Sequence, residues 1–178
     1  ECIKAMHEQK AKVFIAMGGN FLSATPDTGF TAAALQKCNL TVHVSTKLNR
    51  SHLVHGQEAL ILPCLGRSDM DMLGGEAQFV SCENSMGVVQ QSKGNLKPVS
   101  TKMLSEPVII CRLAKETFGS GSKINWDKYL QHFDSIREDI ERTIPGFENY
   151  NDRVRKPGGF YLPNCNRDES FETETKNA

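Results

Sequence analysis

The sequence predicts an α/β fold: a Rossmann-like parallel sheet with helices on both faces, plus a small hairpin and two C-terminal helices. Three observations predict it. Short apolar runs at residues 13–17, 40–44 and 59–62 have strand length and are bounded by turn residues. Between them lie a capped alanine-rich segment and a polar loop, so the strands are joined by crossovers, which makes them parallel. Beyond residue 104 the apolar spacing turns helical over two longer stretches.

Residues 2–10, CIKAMHEQK, read as the last turns of a helix leading into the first strand. That strand, Val13, Phe14, Ile15, Ala16 and Met17, is apolar throughout, as a strand buried on both faces would be. It stops at Gly18-Gly19-Asn20. In open α/β sheets ligands bind beyond the carboxyl ends of strands, where glycine lets backbone approach a phosphate or ribose. The same three residues also make an ordinary turn, and composition alone leaves both readings open. Next, Thr25 or Asp27 can cap a helix over residues 30–38, whose alanines favour it.

The second strand runs into Ser45-Thr46-Lys47-Leu48-Asn49-Arg50-Ser51-His52, where only Leu48 is apolar. This is the richest set of hydrogen-bonding side chains in the chain, and it follows a strand at the same sheet edge as the glycine turn. A solvated loop capping a short helix near Leu53 is the plain alternative. The third strand ends at Pro63, which has no amide hydrogen for a ladder. Residues 64–77 show no period. Residues 78–82 and 87–91 pair as a hairpin across Glu83-Asn84-Ser85-Met86, and residues 93–101 form a loop.

Ser105, Glu106 and Pro107 start a helix that buries Val108, Ile109, Leu113 and Phe118 and ends at Gly119. Asn125 caps the next, with Trp126, Tyr129, Phe133, Ile136, Ile140 and Ile144 on one stripe up to Pro145, and with Glu138 and Arg142 four apart on the polar side. Residues 153–164, RVRKPGGFYLPN, are either a binding loop or a turn that brings Phe160, Tyr161 and Leu162 onto the core.

Charge and length bound the function. Lysine plus arginine total 21, as do aspartate plus glutamate, so no global field attracts nucleic acid. No apolar run reaches the roughly 20 residues of a membrane span. Six cysteines are scattered without a CxxC pair, which reads as reduced structural thiols in a cytoplasmic protein and disfavours a zinc or iron–sulfur site inside this segment. His52 and His55 are three apart, but no HExxH or acidic cluster joins them, so no metal ligand is assigned. GxSxG, GxGxxG and GxxxxGK[ST] are absent, and no acid closes the second strand to take a ribose. No catalytic residue is assigned.

Taken together, AMGGNFLSATPDT, LTVHVSTKLNRSH, EALILPCLGR, FVSCENSMGVV, SEPVIICRLA and RKPGGFYLPN resemble, in this order, one segment of the molybdopterin-dependent oxidoreductases of the dimethyl sulfoxide reductase superfamily, in the formate-dehydrogenase-like branch of alpha subunits. Members are several times longer, and this chain looks like their third domain. The resemblance implies domain bounds of 1–165 for an α/β cofactor-binding domain and 166–178 for a tail or the start of a following domain, which Phe171 onward resembles. It implies that Gly18, Gly19 and Asn20 lie along the phosphate and ribose of one arm of a bis(molybdopterin guanine dinucleotide) molybdenum cofactor, and that Ser45, Thr46, Lys47, Asn49, Arg50, Ser51 and His52 form the loop at its guanosine end. Many relatives carry an aspartate near the position of Thr46. Here Ser45-Thr46 stands instead, so the purine contact passes to Asn49, Arg50 or His52, and Lys47 and Arg50 suit the diphosphate. The hairpin residues Ser81, Glu83, Asn84 and Ser85 match a region bordering the cofactor.

The resemblance further implies a parent enzyme that oxidises formate or a similar small substrate by two-electron transfer at molybdenum. The electrons pass to a four-iron four-sulfur cluster outside this chain, and the remaining domains of the parent are the partners. Neither the cluster's cysteines nor the metal's protein ligand is in this sequence, so the isolated segment is expected to be inactive. An interaction or assembly domain that has lost the site is the competing expectation, and an independent nucleotide-binding enzyme a third.

Overall fold

The three apolar runs pair into one sheet in the computed structural model, which describes residues 1–171 and 173–176. In chain order the elements are α1 (Cys2–His7), β1 (Val13–Met17), α2 (Phe21–Ala24), α3 (Thr28–Gln36), β2 (Leu40–Ser45), a 3-10 turn (Arg50–Leu53), β3 (Glu58–Pro63), β4 (Asp71–Leu73), β5 (Glu76–Gln78), β6 (Val80–Glu83), β7 (Val88–Ser92), α4 (Glu106–Phe118), α5 (Trp126–Gln131), α6 (Asp134–Thr143), α7 (Tyr150–Arg155) and β8 (Phe160–Tyr161). They divide into two compact units. One is Glu1–Gly66 with Pro98–Ile109, the other Arg67–Lys97 with Ile110–Ala178.

In the first unit the sheet order is β1-β2-β3, and both pairings are parallel. Met17 lies opposite Val44, and Val44 opposite Leu62, so the carboxyl ends of all three strands come out level. The Gly18 amide donates to Val44 O at 2.8 Å and carries the ladder one step past β1. Asp27 is the cap of α3, accepting from the Phe30 amide at 2.8 Å. The helix packs Ala34 and Leu35 with Met6, Leu22 and Cys38, and Phe14 and Phe21 lie against that cluster. Central β2 is buried from Thr41 to Ser45.

The expectation that β1 is buried on both faces is corrected. Its side chains alternate, and Val13, Ile15 and Met17 are 54%, 49% and 38% exposed. Phe14 packs with the helices; the opposite side of the strand does not.

In the second unit β6 and β7 form the expected hairpin, Val80 opposite Ser92 and Glu83 opposite Val89. The Asn84 side chain holds the turn by accepting from the Met86 and Val88 amides at 2.9 and 3.2 Å. Strand β8 adds to β7, Phe160 opposite Val89, and brings Phe160 onto Phe79, Val89, Tyr150 and Val154. Part of the stretch without period is a second hairpin, β4 with β5, turning at Gly74-Gly75.

The helical stripes are corrected in two places. Helix α4 buries Val108, Cys111 and Ala114 and exposes Leu113 and Phe118, because four consecutive apolar residues, 108–111, do not by themselves select a face. The next predicted helix is two, α5 and α6, broken at His132, whose backbone is extended. There the Phe133 amide turns to Gln78 Oε1, 3.0 Å away, and the Phe133 ring is buried. Among the described residues no helix is long and apolar enough to cross a membrane. Glu172, Asn177 and Ala178, part of the expected opening of a following domain, lie outside them.

Candidate functional site

The level carboxyl ends of β1 and β2 place the glycine turn beside the polar octet, and side chains bind the two together. Asn49 Nδ2 donates to Gly19 O at 2.7 Å. Ser51 Oγ donates to Asn20 Oδ1 at 2.9 Å and accepts from the Leu22 amide at 3.0 Å. Asn49 also caps the 3-10 turn, its Oδ1 accepting from the Ser51 amide at 2.9 Å. One asparagine thus closes its own loop with its oxygen and grips the neighbouring one with its nitrogen.

Beneath these loops is a histidine pair. The Asn49 amide donates to His52 Nδ1 at 3.0 Å, and His52 Nε2 lies 3.1 Å from Ser45 Oγ. The His52 ring lies 4.6 Å from that of His43 on β2. His43 is 3% exposed and its buried Nε2 has no hydrogen-bond partner. Burial first, and the neighbouring His52 second, push the His43 pKa below its usual 6.5.

The structure therefore sorts the residues singled out from sequence into two groups. Ser45, Ser51 and His52 are buried and tie the loops to the sheet, and the polar atoms of Asn49 are taken up in the same work. Gly19, Asn20, Thr46, Lys47 and Arg50 are exposed, and Gly18 is half-buried. Lys47 and Arg50 form no ion pair among the described residues. Gly18 and Gly19 have φ of +66° and +70°, which turns the backbone sharply away from the strand, and a Cβ on Gly19 would meet nothing within 4 Å. Gly19 therefore lies on an open surface, its carbonyl taken by Asn49.

Sequence reasoning missed one member. An added Cβ at Gly18 would lie 3.8 Å from Glu106 Oε1, so the first residue of α4 brings a carboxylate to the glycine turn. Its signal in the sequence is only that of a helix start, Ser-Glu-Pro, and nothing local says what faces it. The hairpin residues Ser81, Glu83, Asn84 and Ser85 belong to the other unit, where Ser81 Oγ bonds Tyr150 Oη at 2.6 Å and Asn84 makes its turn. His55 is exposed and bonds the Gly56 carbonyl. No group of three or more histidine, cysteine or acidic side chains among the described residues is placed to hold a metal ion.

No protein-family model matches the chain. It is similar to an uncharacterized oxidoreductase of Mycobacterium tuberculosis (strain ATCC 25618 / H37Rv), 52% identical over 177 residues, which is 99% of this chain and 23% of that protein. An uncharacterized oxidoreductase of Mycobacterium bovis matches to the same extent. Protein YdeP of Escherichia coli (strain K12) is 40% identical over 176 residues, again 99% of this chain and 23% of the relative. The chain thus spans less than a quarter of the length of the curated relatives it matches, of which the mycobacterial ones are named oxidoreductases.

Proposed function

We propose that this chain is the part of a larger oxidoreductase that grips one arm of a molybdopterin guanine dinucleotide cofactor. The observation that supports it is the built rim at the carboxyl ends of β1 and β2. There an open glycine turn is locked beside a loop with two unpaired cations. Paired loops at adjacent parallel strand ends are where α/β sheets bind nucleotides.

Lys47 and Arg50 hold the diphosphate by charge, and the backbone of Gly19, where an added Cβ would meet nothing within 4 Å, lies along it. Glu106 accepts from ribose hydroxyls, the role that the second strand leaves empty. Asn20 and Thr46 complete the exposed rim, and Asn49 orders it. The guanine edge meets Arg50 in this reading, because His52 is committed beneath the loop and Asn49 to Gly19. When bound, the cofactor supplies two-electron redox chemistry, and the substrate is formate or a similarly small molecule. This chain's own residues supply binding and orientation.

The test is the content of molybdenum and guanine nucleotide in the purified longer protein, compared with Lys47→Ala and Arg50→Ala. Each substitution is expected to lower both contents together without changing the folded yield. Wild-type content in the double variant overturns the assignment.

A further inference from the structure

The open side of the sheet in the first unit has the composition of a core. Register puts Val13, Ile15 and Met17 of β1 on the same side as Leu40, Val42 and Val44 of β2 and Leu60 and Leu62 of β3. Val42 and Val44 are buried and Leu40 and Leu62 half-buried, whereas Val13, Ile15, Met17 and Leu60 are between 38% and 54% exposed. A strand that faces water on one side alternates apolar with polar residues. Here both sides of β1 are apolar, Phe14 and Ala16 inward and the other three outward, and the charged residue in register with them is Glu58 at the start of β3. Parallel sheets are covered on both faces, and the cover is helical.

We infer that this face is a buried contact in the longer protein, covered by an amphipathic helix of the same polypeptide that lies outside these 178 residues. The occupant follows from length. The relatives match 99% of this chain, β1 included, yet it makes up only 23% of them, so ample chain is present to supply the cover. A second copy of the chain and the exposed Leu113 and Phe118 of its own second unit are the other apolar surfaces available, and the experiment separates the three. The inference rests on the reading of this chain as part of a longer protein and not on any cofactor.

Carbene footprinting of the purified longer protein, read by residue, tests it. Val99 and Leu53, 93% and 80% exposed, serve as internal apolar references. Label uptake follows exposed area, so burial of half-exposed side chains lowers uptake at Val13, Ile15 and Met17 about fivefold below what their open exposure gives. Alongside it, p-benzoylphenylalanine in place of Ile15 is irradiated and the linked peptide identified. A link to a helical peptide of the same polypeptide, outside the matched segment, is expected. Uptake in proportion to the exposures seen here, a link between two copies, or a link to residues 67–97 or 110–178 of the same chain overturns the inference. Guanine-nucleotide content measured on the same sample reports separately on the proposed function.

Discussion

Asn49 and Gly19 are joined by a 2.7 Å hydrogen bond across 30 residues of sequence, and the rim depends on it. Replacing Asn49 with alanine removes that bond and the cap of the 3-10 turn together, each about 1 kcal/mol. Asn49→Asp keeps an oxygen for the Ser51 amide but has no nitrogen to donate to Gly19. The urea midpoint is therefore expected to fall in the order wild type, Asn49→Asp, Asn49→Ala, with an unchanged slope. Equal stability for the aspartate and the wild type would mean that the inter-loop bond holds nothing.

How much of this was legible depends on the range of the interaction. The strands, the hairpin and the Asp27 cap are local, carried by runs and spacings a few residues long. The adjacency of the glycine turn and the polar octet follows from parallel pairing of consecutive strands. What each polar side chain does was not legible, because Ser51, His52 and Lys47 all look alike in a polar run, and only packing separates the buried ties from the exposed cations. The bond that holds the break at His132 open was hidden for the same reason: the Phe133 amide donates to Gln78, 55 residues away. The open side of β1 was misread because an apolar strand looks identical whether its cover is present or lies elsewhere.

His43 gives a pH dependence whose sign is fixed by burial. Its folded pKa is below 6.5, so the native state keeps the ring neutral while the unfolded chain takes up a proton. The neutral ring's contribution is complete above about pH 6.5 and falls as pH drops through that value. It levels off once the folded ring titrates, with a slope of at most about 1.4 kcal/mol per pH unit. His43→Leu is expected to flatten this part of the profile between pH 7 and pH 5. Parallel profiles in urea denaturation would show that His43 is not the titrating group.

Gly159 is expected to tolerate no side chain. Its φ is +69°, and a Cβ would sit 2.0 Å from the Val89 carbonyl oxygen and 3.0 Å from Gln90 Cα. Gly159→Ala forces β8 away from β7, at a cost of about 3 kcal/mol or more. Gly158→Ala, with φ of +82° but nothing within 4 Å, isolates the backbone strain alone, about 1 kcal/mol. Hydrogen exchange at the Leu162 amide, which donates to Gly87 O at 2.8 Å, should quicken in the first variant and barely change in the second. Similar exchange in both would place the strain, not the clash, in control.

Arg137 is a buried charge in the second unit. It is 3% exposed, its guanidinium lies 3.9 Å over the Phe79 ring, and its nitrogens donate to Phe79 O at 3.0 Å, to Asn151 Oδ1 at 2.7 Å and to Asp134 Oδ1. Asp134 is also held by Arg155 at 2.6 Å, so removing Arg137 does not leave the carboxylate alone. The loss falls on the Phe79 carbonyl, on Asn151 and on the emptied volume. Arg137→Ala is expected to cost about 3 kcal/mol, from two acceptors left unmet and the cavity. Arg137→Met fills the space and leaves Asp134 its second partner, so it should cost about half as much. Arg137→Lys should resemble alanine more than arginine, because one ammonium cannot serve three acceptors spread around a planar fork. These differences should change little as salt is raised, since a desolvated pair is poorly screened. Lysine restoring wild-type stability would mean that charge alone matters at this position and that the planar geometry over Phe79 does not.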